Sequence, residues 1–131
     1  MRKELTISGI KKRKGATPLV MITAYDALFS KLLAPSADMI LVGDSLNMSF
    51  AGKSDTISAT LEQMIYHTNA VCAGAPDSFV VADMPFGTYV NKEVALKNSI
   101  EMFQETQADC VKIEGGEDKA SIIEYLTTNG I

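Results

Sequence analysis

The chain is 131 residues long, 47% hydrophobic and 21% charged, with a formal net charge of −4. That length holds one domain with a real core, and the composition is that of an ordinary soluble globular protein. The acidic balance argues against a nucleic-acid partner, and apolar runs no longer than a strand argue against a membrane-spanning helix.

Residues 1–17 carry six of the twelve basic residues, four of them consecutive in Lys11-Lys12-Arg13-Lys14. With no aromatic interleaved, this stretch reads as a solvated N-terminal helix or arm rather than a polyanion site, with Leu5, Ile7 and Ile10 tucked against the domain. Met1-Arg2-Lys3-Glu4 contains no apolar h-region, so no signal peptide is read and a cytoplasmic location is expected. Cys72 and Cys110 have neither metal-type nor redox-type spacing and read as reduced core thiols.

From residue 18 onward the pattern is βα repeated four times, to residue 131. Leu19-Val20-Met21-Ile22 is the first buried strand. Asp26 is placed to cap a helix with Leu28, Leu32 and Leu33 inward, and Pro35 stops it. A second strand spans 39–43 and runs into Asp44-Ser45. The loop 46–59 follows, of the length expected at a functional rim. Thr60-Leu61-Glu62-Gln63 is a capping box opening a helix with Leu61, Met64, Ile65, Thr68, Val71 and Cys72 at helical spacing, ended by Gly74 and Pro76. His67 falls off that stripe and reads as a surface or interface residue. The third strand, 78–82, ends in Asp83-Met84-Pro85-Phe86-Gly87. A helix over 92–106 turns Leu96, Ile100 and Phe103 inward. The fourth strand, 110–113, leads through Glu114 to Gly115-Gly116, either a turn or a phosphate nest. A last helix, from about 118 to 128, carries Ile122, Ile123 and Leu126 and ends at Asn129-Gly130. Ile131 then reads as the start of a fifth strand.

Three buried strands therefore deliver a carboxylate at or near their C-terminal ends: Asp44, Asp83 and Glu114. In a parallel sheet those ends share one rim, so acids far apart in sequence converge. Oxygen-only ligands suit a hard cation such as Mg2+, and a metal held there would acidify the C–H beside a chelated keto group. Lys112, two residues before Glu114 and on the same strand face, is placed to pair with a substrate carboxylate or an enolate oxygen. Ser45 and its N–H are placed to hold the carboxylate. The alternation fits an open doubly wound sheet or half of a (β/α)8 barrel, and no GxGxxG follows the first strand to favour a dinucleotide fold.

Five stretches stand in the order and spacing of the ketopantoate hydroxymethyltransferase family. They are Thr23-Ala24-Tyr25-Asp26, Ile40-Leu41-Val42-Gly43-Asp44-Ser45, Met64-Ile65-Tyr66-His67-Thr68, Val81-Ala82-Asp83-Met84-Pro85-Phe86-Gly87 and Val111-Lys112-Ile113-Glu114-Gly115-Gly116. The chain resembles the N-terminal half of that family. The resemblance implies the first four units of a TIM barrel of the phosphoenolpyruvate/pyruvate-binding type, in a cytoplasmic homodecamer. The implied activity moves a hydroxymethyl group from 5,10-methylenetetrahydrofolate to α-ketoisovalerate (3-methyl-2-oxobutanoate) through a Mg-stabilised enolate, in pantothenate synthesis. Carried over, Asp44, Asp83 and Glu114 match the Mg2+ positions, and Asp44, Ser45, Asp83 and Lys112 match the keto-acid contacts. The family's general base, a glutamate, is expected beyond Ile131. Pro35-Ser36 and Thr106-Gln107 depart from the family's small residues, and Gln107 would be strained if its turn required positive φ. Two other readings stand beside this one: a related isocitrate-lyase-like or phosphonopyruvate-type lyase, and a non-catalytic half-barrel that pairs through open strand edges.

Overall fold

The structure is a computed structural model that describes residues 5–131. The opening four residues of the expected arm lie outside the described residues. Four parallel strands form one sheet in the order β1-β2-β3-β4: β1 (Met21–Thr23), β2 (Met39–Val42), β3 (Phe79–Asp83) and β4 (Cys110–Lys112). Among the described residues six α-helices accompany them: α1 (Ile7–Lys12), α2 (Ala27–Leu33), α3 (Leu46–Ser49), α4 (Leu61–Gly74), α5 (Lys92–Glu105) and α6 (Ala120–Thr128). Two single 3-10 turns, Ala34–Ser36 and Glu117–Lys119, close α2 and open α6.

Parallel strands carry side chains alternately on two faces, and here the faces have different fates. Ile40, Val42, Val80 and Ala82 are buried under the helices, with Met64, Val71, Cys72 and Met102 packed on them. Met39, Phe79 and Val81 project to the opposite face, where Leu5, Ile10 and Leu19 cover the ends at which the strands begin. The N-terminal helix therefore closes one end of the sheet's inner face, as the positions of Leu5 and Ile10 suggest, whereas Ile7 stays exposed. Asp83 continues the Phe79-Val81 row and pairs in register with Lys112, which puts both on the inner face at the strand ends.

The strand starts share a device. The Asp38 carboxylate accepts the Val20 N–H at 2.8 Å while the Asp38 N–H donates to the Val20 carbonyl. Asp109 does the same with Val80, its carboxylate accepting the Val80 N–H at 2.8 Å and its own N–H donating to the Val80 carbonyl at 2.8 Å. Each aspartate ends the turn before its own strand and clamps the start of the neighbouring one. The first strand spans 21–23 rather than 19–22.

The helix ends follow their residue types. The Asp26 carboxylate caps α2 by accepting the Phe29 N–H at 2.8 Å. Both arms of the Thr60/Gln63 capping box are made, at 2.9 and 3.2 Å. The inward faces depart from the apolar periodicity in three helices. Leu28 and Leu32 on α2 are each 64% exposed, and the buried side chain is Ser30. The cause is Gly74: a Cβ there would lie 2.1 Å from the Ala27 carbonyl oxygen and 2.2 Å from Ser30 Oγ. Helices α2 and α4 meet backbone to backbone through small residues, so the leucines face away. On α5 the buried row is Ala95, Ser99 and Met102, one residue earlier than the expected Leu96, Ile100 and Phe103, and Ile100 is exposed. On α6 Ile122 and Leu126 are buried but Ile123 is exposed.

Ile131 is not a strand residue here. The Ile131 N–H donates to the Leu126 carbonyl at 3.1 Å and the Gly130 N–H to the Thr127 carbonyl at 3.2 Å, with Gly130 at φ 88°. This is a Schellman cap, whose apolar final residue packs back on the helix, as Ile131 does on the Ile122/Leu126 cluster. At Gly115-Gly116 the Gly116 N–H already donates to the Asp118 carboxylate at 3.2 Å, so that amide is taken from within the chain. Among the described residues no non-glycine has positive φ, so Gln107 is not strained. Neither cysteine is in a disulfide. Burial, then the Asp109 charge, push the Cys110 thiol up from its ordinary range, which keeps it in the unreactive protonated form. No helix among the described residues is long and apolar enough to cross a membrane.

Candidate functional site

The strand ends bring Asp44, Ser45, Asp83, Lys112 and Glu114 to one rim. Asp83 is the centre of the group. It is the last residue of a fully buried strand and is itself buried. One of its carboxylate oxygens accepts the Lys112 ammonium at 2.8 Å, and the other accepts the Asp44 backbone N–H at 3.1 Å. The turn after β2 is thus tied to β3 through the Asp83 side chain. Glu114 lies farther out: its carboxylate is 3.9 Å from Lys112 Nζ and its side chain is 79% exposed.

Electrostatics follow from three carboxylates facing one ammonium. Partial burial, reinforced by the Asp83 charge, holds the Asp44 carboxyl above its ordinary range, although a hydrogen bond from Thr56 and the Lys112 charge act the other way. Burial alone would lower the Lys112 ammonium. The hydrogen bond to Asp83, with the charges of Asp83, Glu114 and Asp44, more than reverses this and holds the lysine above its usual range. Lys112 is therefore a fixed cation at neutral pH and cannot serve as a base there.

Among the described residues no three carboxylate, imidazole or thiol side chains already converge on one point; Lys112 contacts both Asp83 and Glu114 instead. The donor chemistry nonetheless fits a hard divalent cation. All three acidic groups offer oxygen, the set carries an excess of negative charge, and burial and the Asp83 charge together hold the Asp44 carboxyl up despite the Lys112 ammonium.

Other residues at the rim were not singled out as site residues from sequence. The Tyr25 hydroxyl is 2.8 Å from Ser45 Oγ. Gly43 leaves room for that serine: a Cβ on it would lie 2.7 Å from Ser45 Oγ. Asn47 is buried and pins the loop after α3 by donating to the Asp55 carbonyl at 2.7 Å and to Ser58 Oγ at 3.0 Å. That anchorage brings Thr56 to Asp44. His67 is a correction. It is only 8% exposed, and its Nδ1 lies 2.7 Å from the Tyr25 carbonyl oxygen. The apolar stripe of α4 could not reveal this, because what His67 meets is a backbone carbonyl 42 residues away in sequence.

A parallel sheet with apolar strand beginnings, charged strand ends and helices along one face is the arrangement of four consecutive βα units of a (β/α)8 barrel enzyme. A crystal structure of 2,3-dimethylmalate lyase, described as a member of the phosphoenolpyruvate mutase/isocitrate lyase superfamily, matches with a TM-score of 0.68 over 95% of this chain and 48% of the other, at 16% identity. That identity shows the shared fold. The family follows from sequence: the ketopantoate hydroxymethyltransferase family model matches residues 4–131. The 3-methyl-2-oxobutanoate hydroxymethyltransferase of Sulfurimonas denitrificans is 72% identical over all of this chain and 50% of its own length. Those of Nitratiruptor and Helicobacter pylori are 63% and 50% identical over 100% and 98% of this chain, covering 51% and 48% of their own lengths. The chain belongs to the ketopantoate hydroxymethyltransferase family, and it spans about half the length of the curated relatives it matches.

Proposed function

We propose that this chain forms the metal- and keto-acid-binding half of a 3-methyl-2-oxobutanoate hydroxymethyltransferase, which transfers a hydroxymethyl group from 5,10-methylenetetrahydrofolate to α-ketoisovalerate in pantothenate synthesis. The observation that carries it is the Lys112–Asp83 pair at 2.8 Å beside Asp44, on the rim where barrel enzymes bind substrate. Asp44, Asp83 and Glu114 would hold Mg2+. When bound, that ion would polarise the keto group and ease loss of the C3 proton.

The chain's own residues have complementary tasks. Lys112, held protonated by the acids around it, stabilises negative charge developing on the keto oxygen or pairs with the carboxylate. Ser45 donates to the substrate carboxylate. Asp83 holds Lys112 on one oxygen and the Asp44 turn on the other, so substrate meets groups already placed. The proton acceptor is assigned to the part of the relatives' length that this chain does not span. A cytoplasmic decamer, as implied by the family, belongs to the same proposal.

The test is loss of the C3 proton of α-ketoisovalerate in D2O, followed by NMR on the full-length enzyme with and without Mg2+. Exchange that requires both protein and Mg2+, and that Asp83→Ala abolishes, is the expected result. Exchange that persists in Asp83→Ala would overturn the assignment of this rim.

A further inference from the structure

Beside the strand-end charges lies a second connected set. The Tyr25 hydroxyl is 2.8 Å from Ser45 Oγ, and the Tyr25 backbone carbonyl is 2.7 Å from His67 Nδ1. A carbonyl only accepts, so Nδ1 carries the proton and the ring has one orientation. Tyr25 precedes the Asp26 cap, so its carbonyl lies outside α2 and is satisfied by the imidazole. His67 is itself held edge-on by Phe50 and Tyr66, with ring centroids 5.1 and 5.3 Å away. Phe50 closes α3, the short helix that Ser45 opens. One buried histidine thus braces both ends of that helix: Ser45 through Tyr25, and Phe50 by direct contact.

We propose that Tyr25 and His67 are positioning residues that orient the Ser45 hydroxyl toward an α-keto carboxylate, in space left open by Gly43. This deepens the functional reading above and rests on it, since Ser45 is taken there as a ligand contact. The phenol is the more acidic of the two hydroxyls and is the natural donor. With Tyr25 donating to Ser45 Oγ, the serine proton is directed away from the protein and toward an anionic ligand. A Cβ on residue 43 would lie 2.7 Å from Ser45 Oγ but 3.6 Å from Asp83 Oδ2. Gly43→Ala therefore turns the serine aside while leaving the Lys112–Asp83 pair in place.

The test is on the full-length enzyme, with α-ketoisovalerate and Mg2+ titrated separately by calorimetry. Tyr25→Phe and Gly43→Ala should weaken keto-acid binding roughly ten- to hundredfold, the value of one hydrogen bond to a charged group, with Mg2+ affinity unchanged. His67→Asn, whose side-chain N–H can take the place of Nδ1–H, should retain most of the affinity that His67→Leu loses. Long-range 1H–15N spectra, with the His67 signals assigned by their absence in His67→Asn, should place a proton on Nδ1. Unchanged keto-acid affinity in Tyr25→Phe, or a proton on Nε2 alone, overturns the inference while leaving the functional reading intact. Failure of the wild type to bind the keto acid overturns both.

Discussion

Asp83 shows how one side chain converts a strand end into a site. Its two oxygens are committed to different elements, Lys112 of β4 and the backbone of Asp44, so removing it loosens both. Asp44 has the opposite energetic character. Its carboxyl is raised from 3.8 by burial and by Asp83, so the fold disfavours its ionised form. Such a group imposes no penalty below pH 3.8, and the penalty develops as pH rises through the higher folded value. Asp44→Asn, which retains an oxygen for Thr56, should therefore raise the melting temperature near neutral pH, though only slightly, because solvent screens a carboxyl that is only partly buried. The difference from wild type should vanish below pH 3.8, and keto-acid binding should be lost. Calorimetric scans of both proteins across pH check this; a melting temperature lowered at neutral pH would refute it.

At the scale of elements, the contact between α2 and α4 is the least tolerant join. Ala is the better helix former by about 1 kcal/mol, so propensity alone favours Gly74→Ala. The added carbon would lie 2.1 Å from the Ala27 carbonyl oxygen, and backbone cannot rotate aside as a side chain tip can. Sterics win: the substitution should destabilise by roughly 1–3 kcal/mol, the usual range for overpacking. A lowered midpoint in urea, with an unchanged slope, is the expected observation; a raised midpoint would show that the helices part freely. The same join explains why Leu28, Phe29 and Leu32 lie outward: the side of α2 that meets α4 has no room for them.

At the scale of the whole molecule, the four-stranded sheet has two edges, β1 and β4. Val20 and Met21 are exposed at one edge, with Leu28, Phe29 and Leu32 exposed on the helix after β1. By the other edge, a cavity of about 220 Å³ is lined by Cys110, Val111, Ile113, Ile123, Leu126 and Ile131 among others. Open parallel edges and bare apolar surface favour pairing with further chain. Residues 1–131 expressed alone should self-associate or melt without a sharp transition, as read by light scattering after size exclusion and by calorimetry. A monodisperse monomer with one cooperative transition would contradict that.

The sequence by itself determined the order of the four strands and of the longer helices, but not the short α3, which lies inside the expected loop 46–59. Runs such as Phe79-Val80-Val81-Ala82 can be buried on both faces only in a covered parallel sheet, and the Thr60/Gln63 and Asp26 caps are local chemistry within a few residues. The same locality made Asp44, Asp83, Lys112 and Glu114 legible, because a polar residue at the end of a buried strand has only the rim to occupy. Tertiary structure alone decided the helix faces and the second tier of the site. The buried row of α5 moved by one residue, and the Asp38 and Asp109 clamps reach neighbouring strands. His67 became a buried partner of Tyr25 because a carbonyl 42 residues away required a donor. Periodicity records that a face is apolar, but which backbone approaches it, and what hydrogen bond that backbone needs, is set only when the elements pack.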